Sequence, residues 1–330
     1  HDVTRILDKI PSRKNLGMFS ATISREVMDI SWVYQRDPEE ITFMEPQAGG
    51  ACRAGNIYNL LQRVLYRMVE QGQLEYAQIP VISLNLMGEE KYTGFRITPS
   101  LLSGGIAAGC YGDLIMCLYQ QVKPYEQNPG ETDRIRSQVE KKLCESIRRH
   151  RNGRHTREKN YRYACEVFSK VPVTPGKKKR VGITGEIYMK YSKLGNDDIE
   201  SFLLRQGMEP YSGGFVNYCL YLVDTERYKA EKYQHNPIMA KACAFVLHRL
   251  CEAQKHLLTV IGETDRFQTD LPFPELKEKV QGILAEGCNT GDGWLIAAEV
   301  IQYVEKGCGS VLILHPFGCL VSHVCERGIL

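Results

Sequence analysis

The 330 residues comprise 43% hydrophobic, 25% charged and 9% aromatic side chains. This composition excludes disordered, collagen-like and coiled-coil chains, and the length suffices for roughly two globular domains of about 150 residues each. The net charge of +3 is too small to make a polyanion the obligatory partner of the whole molecule.

Twelve cysteines are spread singly through apolar segments, and the chain contains no CxxC. The missing CxxC disfavours zinc ribbons, ferredoxin-type runs and thioredoxin-type redox motifs. A long chain with isolated cysteines and no recognisable signal peptide favours a reducing compartment, so we expect a cytoplasmic protein.

The two ends of the chain suggest a fragment. It begins at His1 without an initiator Met and stops at Leu330 within a predicted strand-loop-helix unit, so we expect a fold that is incomplete at both ends. Residues 1–45 form one compositional block, in which an apolar run leads into Ser20-Ala21-Thr22. The character changes at Ala48-Gly49-Gly50, and we place a boundary near residue 45.

Residues 46–130 are predicted to form a partial first α/β lobe. A helical pattern around Leu60 and Leu65 is followed by a parallel-type strand within Pro80–Leu86. The most apolar window, Leu101–Tyr119, carries Asp113 and several glycines, which favours a buried or interfacial helix over a membrane span. We therefore expect no membrane partner.

Residues 131–180 are predicted as a charged, solvated helical connector that ends in a Pro/Gly/Lys linker. Residues 181–330 are predicted as a second α/β lobe, truncated at its C-terminus. Its predicted elements include strands at Val181–Ile187, near 207–211 and at Ser310–Leu314, and helices at Asp198–Gln206 and Trp294–Lys306. This alternation of strands and helices predicts an α/β fold class, with Rossmann- or flavodoxin-like lobes and parallel sheets.

Cys319 ends the turn His315-Pro316-Phe317-Gly318-Cys319, directly after a predicted strand. Ligands of open α/β sheets bind beyond the carboxyl ends of strands, where this thiol would lie. Gly318 would let the backbone approach a bulky inorganic cofactor closely. The residues alone leave two interpretations of Cys319 open, a cluster ligand and an inert buried thiol.

Cys52 has similar local chemistry, because Gly49, Gly50 and Gly55 bracket it near the start of a predicted helix. The helix N-terminus and the adjacent Arg53 both favour the thiolate, the form that binds iron. A glycine-rich turn that merely contains a cysteine is the open alternative.

The remaining cysteines fall into two groups. Those within apolar helical patterns are predicted core thiols: Cys110, Cys117, Cys243 and Cys251. Those near the loops of Cys319 stay open as further ligands: Cys288, which is the weaker third candidate for the metal, Cys308 and Cys325. His315 and His323 flank the turn, and we expect structural roles for both.

The loop Thr290-Gly291-Asp292-Gly293-Trp294 precedes a predicted helix. Its backbone N–H groups, freed by Gly291 and Gly293, would suit phosphate or cluster sulfide, although such loops are also common helix caps. Gly182-Ile183-Thr184-Gly185-Glu186 lacks the third glycine of a dinucleotide fingerprint. Because no P-loop occurs either, we identify no ATP site in the sequence.

Two basic runs, Arg148–Arg157 and Lys177–Arg180, could contact nucleic acid. The lysine run has no interleaved aromatic residues on which bases could stack, so a solvated face is the favoured interpretation.

Residues 1–43 resemble the end of the first RecA-like domain of DEAD-box RNA helicases. The matching stretches are Leu7–Ile23, with Ser20-Ala21-Thr22 at the family's SAT motif, Arg25–Ile30 and Tyr34–Pro38. The P-loop, the DEAD carboxylates and the second RecA domain have no counterpart in the sequence, so no helicase or ATPase activity is implied.

From about Gly49 to the end, the chain resembles large acyl-CoA dehydratase activase proteins, in the region after their ATPase modules. That region is related to the 2-hydroxyglutaryl-CoA dehydratase component and to double-cubane cluster proteins. The matching blocks are Gly50–Asn56, Ile79–Asn85, Tyr111–Met116, Lys123–Glu126, Asn128–Asp133, Val181–Tyr188, Thr290–Trp294 and His315–Leu320.

This second resemblance implies low-potential electron transfer. In the family, an ATP-driven activator passes single electrons to a cysteine-bound iron–sulfur cluster, of the 4Fe-4S or double-cubane kind, which can reduce an acyl-CoA so that water is eliminated. The resemblance implies that Cys52 and Cys319 are cluster ligands and that an activator or reductase module, fused or separate, is the partner. An acyl-CoA is the possible substrate.

The chain also departs from this family. Upstream cysteines are replaced by the helicase-like block, a further strand and helix are missing at the end, and two matching ligands are fewer than a cubane requires. We therefore expect the chain to hold a cluster poorly or not at all. Two alternatives remain open: a non-catalytic scaffold that docks an activator ATPase, and an RNA-binding helicase-associated module that uses the basic helix around Arg148–Arg157.

Overall fold

A computed structural model describes residues 43–45, 57–72, 81–83 and 99–325. The chain divides into two compact units, His1–Ile97 and Thr98–Leu330. The described elements of the first unit are β1 (Phe43–Glu45), α1 (Ile57–Glu70) and β2 (Val81–Ser83), and the two strands pair in parallel. β1 lies at the end of the helicase-like block and β2 in the block that follows it.

The second unit contains thirteen helices and strands within the described residues. In chain order they are α2 (Pro99–Val122), α3 (Glu131–Arg148), α4 (Arg154–Ser169), β3 (Arg180–Gly185), α5 (Ile187–Tyr191), α6 (Ile199–Arg205), β4 (Glu209–Ser212), α7 (Phe215–Lys232), α8 (Pro237–Gly262), α9 (Phe273–Glu278), α10 (Gly293–Glu305), β5 (Ser310–Leu314) and α11 (Leu320–Cys325). The last of these, α11, is a short helix that follows the sheet. A 3-10 turn at Lys123–Tyr125 follows α2.

The three strands of the second unit form one parallel sheet in the order β4-β3-β5. Helices separate the strands in sequence, so the predicted α/β fold class with a parallel sheet is confirmed and the unit is Rossmann-like. The central strand is almost fully buried along its length, as expected when both faces of a parallel sheet are covered.

The predicted strand Val181–Ile187 ends two residues early, at Gly185. Gly185 has φ of +131°, a conformation that glycine tolerates and L-residues rarely adopt, and it turns the chain out of the sheet. Glu186 then caps α5, because its carboxylate accepts a hydrogen bond from the Met189 amide at 3.0 Å.

Helix α2 is the apolar helix of the predicted Leu101–Tyr119 window. By length and composition alone it could cross a membrane. In the fold one face is buried in the main core cluster of the second unit, through residues that include Ala107, Cys110, Leu114, Leu118 and Val122. The predicted buried position of this helix therefore agrees with its packing.

The segment predicted as a solvated connector, 131–180, is helical but contributes to the core. α3 buries Val139 and Leu143, and α4 buries Tyr161 and Phe168, in the same cluster as α2. The many charges lie on the outer faces of both helices, which is why the composition indicated solvation. Amphipathic spacing within the charged stretch decides the packing.

Candidate functional site

The sheet topology places a crevice beside its central strand. From β3 the chain goes to β4 on one side, and after four further helices it returns to β5 on the other. Such a switch point, at the carboxyl ends of two neighbouring parallel strands, is the usual ligand position in open α/β sheets. The strand ends are joined directly, because the Glu186 amide donates to the Leu314 carbonyl at 2.8 Å.

The turn with Cys319 follows β5 at this edge, as the sequence predicted. The Cys319 amide donates to the Pro316 carbonyl at 3.2 Å, and Gly318 has φ of +77°. Cys319 is half-buried, whereas Phe317 in the same turn is fully exposed. The structure therefore places this thiol beyond the carboxyl end of β5, and its role as a ligand stays a prediction.

The loop before α10 is closed by a hydrogen bond from the Trp294 amide to the Cys288 carbonyl at 2.9 Å. A Cβ atom on Gly293 would overlap that carbonyl oxygen and the Tyr221 hydroxyl. The absence of a side chain at Gly293 is thus already required by packing, whether or not a cofactor binds.

Gly291 connects this loop to the Cys319 turn. It has φ of +58°, and a Cβ atom there would lie 3.1 Å from Cγ2 of Val321, in the helix that begins directly after Cys319. The structure therefore brings together the two glycine-bearing segments that the sequence singled out separately.

Gly291→Ala is expected to lower the free energy of unfolding by about 2 kcal/mol, since it combines left-handed backbone strain with pressure on Val321. Gly282→Ala is the matched control, because Gly282 has φ of +83° and open space around it, and it should cost only about 1 kcal/mol. Urea unfolding curves measure both. Equal costs would contradict the packing of α11 against the loop.

Several polar groups around the two segments favour a ligand that accepts hydrogen bonds. The Asn289 side-chain nitrogen and the Ser322 hydroxyl are buried and have no hydrogen-bond partner among the described residues. Burial, and secondarily the nearby Glu186, raise the pKa of Asp292 to about 8, so its carboxyl is protonated at neutral pH. Phosphate oxygens or cluster sulfides have the matching acceptor chemistry.

The thiols of the described residues do not lie together in the way that an iron–sulfur cluster requires. Within the part of the chain that the structure describes, no group of three or more His, Cys, Asp or Glu side chains is placed to hold a metal ion. Cys288 lies in the loop next to the Cys319 segment, and the other predicted ligand, Cys52, lies outside the described residues. A cubane normally takes about four cysteine ligands, so the described residues do not fit one by themselves.

Cys308 is not a further ligand beside Cys319. It precedes β5, whereas Cys319 follows it, so the length of the strand separates the two thiols. Cys308 instead packs against Tyr211 and Tyr303 in a small buried cluster, and burial raises the pKa of its thiol to about 11. Proximity in sequence had left Cys308 open as a further ligand, but β5 carries the chain from one end of the sheet to the other between Cys308 and Cys319.

Most of the predicted core thiols lie in or against the core, and the two histidines that flank the Cys319 turn contact each other. Cys110 is fully buried, and Cys117 and Cys251 pack against the same core cluster, while Cys243 is half-buried. The rings of His315 and His323 lie edge to face with centroids 5.8 Å apart.

The basic run Arg148–Arg157 forms the end of α3, the α3–α4 loop and the start of α4. Arg148 and Arg149 share the carboxylate of Glu145, and Arg157 donates to the Asn152 carbonyl at 3.2 Å. Part of the positive charge of this run is therefore engaged in contacts within the fold.

A buried ion pair behind the crevice was not identified from the sequence. Lys190 of α5 contacts both carboxylate oxygens of Glu299 in α10, at 2.7 and 2.8 Å, and Thr184 at the end of β3 donates to Glu299 at 2.5 Å. A narrow cavity is lined by this pair and by Asp292. The available signal was Glu299 itself, the lone charge within the apolar run from Trp294 to Val304.

No protein-family model, no curated protein and no solved structure matches this chain.

Proposed function

We propose that this chain is an iron–sulfur electron-transfer component of the 2-hydroxyacyl-CoA dehydratase and activase type, with Cys319 as a cluster ligand. The observation that supports the proposal best is the position of Cys319, beyond β5 at the switch point of a parallel sheet. The unpartnered buried donors of Asn289, in the neighbouring loop, and of Ser322, in α11, add groups that could hydrogen-bond to sulfide.

The ligand set is incomplete in this proposal. Further ligands would have to come from Cys52, from another chain or from added thiol, because the described residues bring no group of three possible ligands together. The chain would therefore bind a cluster weakly when alone.

An ATP-dependent activator is the proposed partner at this edge. Exposed apolar side chains surround Cys319: Phe317 is fully exposed, and Leu320 and Val324 are 63% and 55% exposed. Exposed apolar groups beside a redox centre would let a donor protein approach closely and exclude water. An acyl-CoA remains the proposed substrate class.

Anaerobic reconstitution with iron and sulfide tests the proposal. The purified chain should bind substoichiometric iron alone and more when 2-mercaptoethanol supplies the missing thiolates. Cys319→Ser and Cys52→Ser should each lose most of the bound iron under both conditions. Iron content and electron paramagnetic resonance after dithionite reduction are the measurements.

Cys308→Ser is the matched control, because that thiol lies at the opposite edge of the sheet, and it should retain the wild-type iron content. Iron binding that is unchanged in Cys319→Ser, or that falls equally in Cys308→Ser, would contradict the assignment. A stable stoichiometric cluster without added thiol would show that the ligand set is complete after all.

A further inference from the structure

The hairpin formed by α3 and α4 is much more basic than the rest of the chain. Residues 131–170 contain 12 Lys and Arg against 6 Asp and Glu, a net charge of +6. The other 290 residues contain 30 Lys and Arg against 33 Asp and Glu, a net charge of −3. The small charge of the whole chain therefore combines a basic hairpin with an otherwise slightly acidic protein.

The two helices of the hairpin are antiparallel and pack through their apolar faces. Gln138 donates to the Tyr163 hydroxyl at 2.9 Å, and Asn160 donates to the Ser146 hydroxyl at 3.1 Å. The apolar side chains of both helices belong to the main core cluster of the second unit. The charged side chains are therefore left on the outer surface of the hairpin.

The six acidic side chains of the hairpin are already paired with cations. The pairs, at 3.8 Å or less, are Glu131 with Arg134, Asp133 with Lys123, Glu140 with Arg136, Glu145 with Arg148 and Arg149, Glu158 with Arg162, and Glu166 with Lys170. Five further cations are exposed and form no ion pair within the described part of the chain: Lys141, Lys142, Arg151, Arg154 and Lys159. A solvated helix face usually mixes both signs, whereas this surface has a positive surplus.

An open groove on this surface has no carboxylate in its lining. Side chains of both helices line it: Arg134, Ser137, Gln138, Lys141, Lys142 and Tyr163. The Lys142 ammonium lies over the Tyr163 ring, 3.2 Å from its centroid, which orients the ammonium group. The Tyr163 hydroxyl accepts from Gln138 and keeps its own proton, so it can donate to an anion in the groove.

The cations of α3 are spaced for a chain of anions. Arg134, Lys141 and Arg148 are seven residues apart, so they lie along one ridge of the helix with about 10 Å between neighbours. The side chains of Arg134 and Arg148 are 71% and 81% exposed. Successive phosphates of one strand advance about 3.4 Å along a duplex axis, so several phosphates can contact this ridge at once.

The hairpin offers little to a membrane or to a protein partner. None of the large apolar side chains that are exposed in the described residues lies within 131–170. Membrane-surface helices insert apolar side chains into the lipid, and protein interfaces normally have an apolar core. Unpaired cations without apolar neighbours favour a ligand that is bound through its charge.

We propose that the α3–α4 hairpin binds nucleic acid through the phosphate backbone and without sequence preference. The five unpaired cations each neutralise a phosphate, and Tyr163 donates to one. The Tyr and Phe rings of the hairpin are buried or, at Tyr163, covered by Lys142, so bases find no stacking platform. The proposal is independent of the iron–sulfur function, because none of these residues belongs to the segments around Gly291 and Cys319.

Fluorescence anisotropy of a labelled single-stranded RNA of about 20 nucleotides, titrated with the whole chain, tests the proposal. The affinity should fall steeply as the salt concentration rises from about 50 to about 200 mM. Duplex RNA and single-stranded or duplex DNA of the same length should bind within about tenfold of this RNA, because all four share the phosphate backbone. Binding that is independent of salt would overturn the proposal.

Two double variants each remove two of the unpaired cations: Lys141→Gln with Lys142→Gln, and Arg151→Gln with Arg154→Gln. Each should weaken binding by about tenfold or more near 0.1 M salt and lower the slope of log affinity against log salt by about 2. Because the replaced side chains are exposed, both variants should fold, and circular dichroism melting curves check this.

Lys232→Gln with Lys241→Gln is the matched control. These lysines are exposed and form no ion pair among the described residues, but they lie on α7 and α8, so the same charge is lost elsewhere. The control should bind as the wild type does. Equal weakening in the control, or unchanged binding in both hairpin variants, would contradict the assignment. A chain that adsorbs to phosphatidylglycerol vesicles and binds none of the four nucleic acids would also overturn it.

Discussion

Replacing Glu299 with alanine is expected to lower the free energy of unfolding by about 3–5 kcal/mol at pH 7. The reason is the Lys190 ammonium, which would stay buried without its partner, because the two side chains are only 4% and 3% exposed. Thr184 would lose its acceptor as well. Urea unfolding followed by Trp294 fluorescence in a Trp32→Phe background measures the change in the second unit.

Two controls separate burial from charge pairing. Glu263→Ala removes an ion pair with Arg162 in which both side chains are about half exposed, and it should cost less than about 1 kcal/mol. The double variant Lys190→Met with Glu299→Leu removes both buried charges and should recover most of the stability lost in Glu299→Ala. A loss below about 1 kcal/mol for Glu299→Ala would contradict the buried pair.

Gly185→Ala is expected to cost on the order of 3–5 kcal/mol and to weaken the pairing of β3 with β5. The new Cβ atom would overlap the carbonyl oxygen of Leu314, and the backbone at φ of +131° would be strained in addition. Because Leu314 belongs to the neighbouring strand, relief requires the two strand ends to separate. Urea unfolding, together with hydrogen exchange of residues 310–314, measures both effects.

Gly207→Ala is the matched control for Gly185→Ala. Gly207 also has a positive φ, of +72°, but a Cβ atom there would meet no neighbour. It should cost about 1 kcal/mol through backbone strain alone. A comparable cost at both positions would show that the strand ends at Gly185 are not in contact.

The edge of the sheet shows how far the sequence predicts the candidate site. The strand Ser310–Leu314 and the turn to Cys319 are found where the sequence placed them, because a short apolar run followed by Pro and Gly is a local signal. The helix predicted from Trp294 begins one residue earlier, at Gly293. Contact between the two glycine-bearing loops required the fold, since it depends on how α10 and α11 pack.

Apolar runs, helical periodicity and glycine act over a few residues, so the α/β class, the parallel strands and the turns that bear Gly291, Gly293 and Cys319 could be predicted from the sequence. The fold alone establishes which distant groups meet. It pairs Lys190 with Glu299 and brings Asp113 and Asp270 to one loop, before α7. It also places Cys308 at the opposite end of β5 from Cys319. Strand order determines which residues meet, and burial determines the desolvation cost of a charged group. Neither leaves a pattern in the neighbouring residues of the sequence.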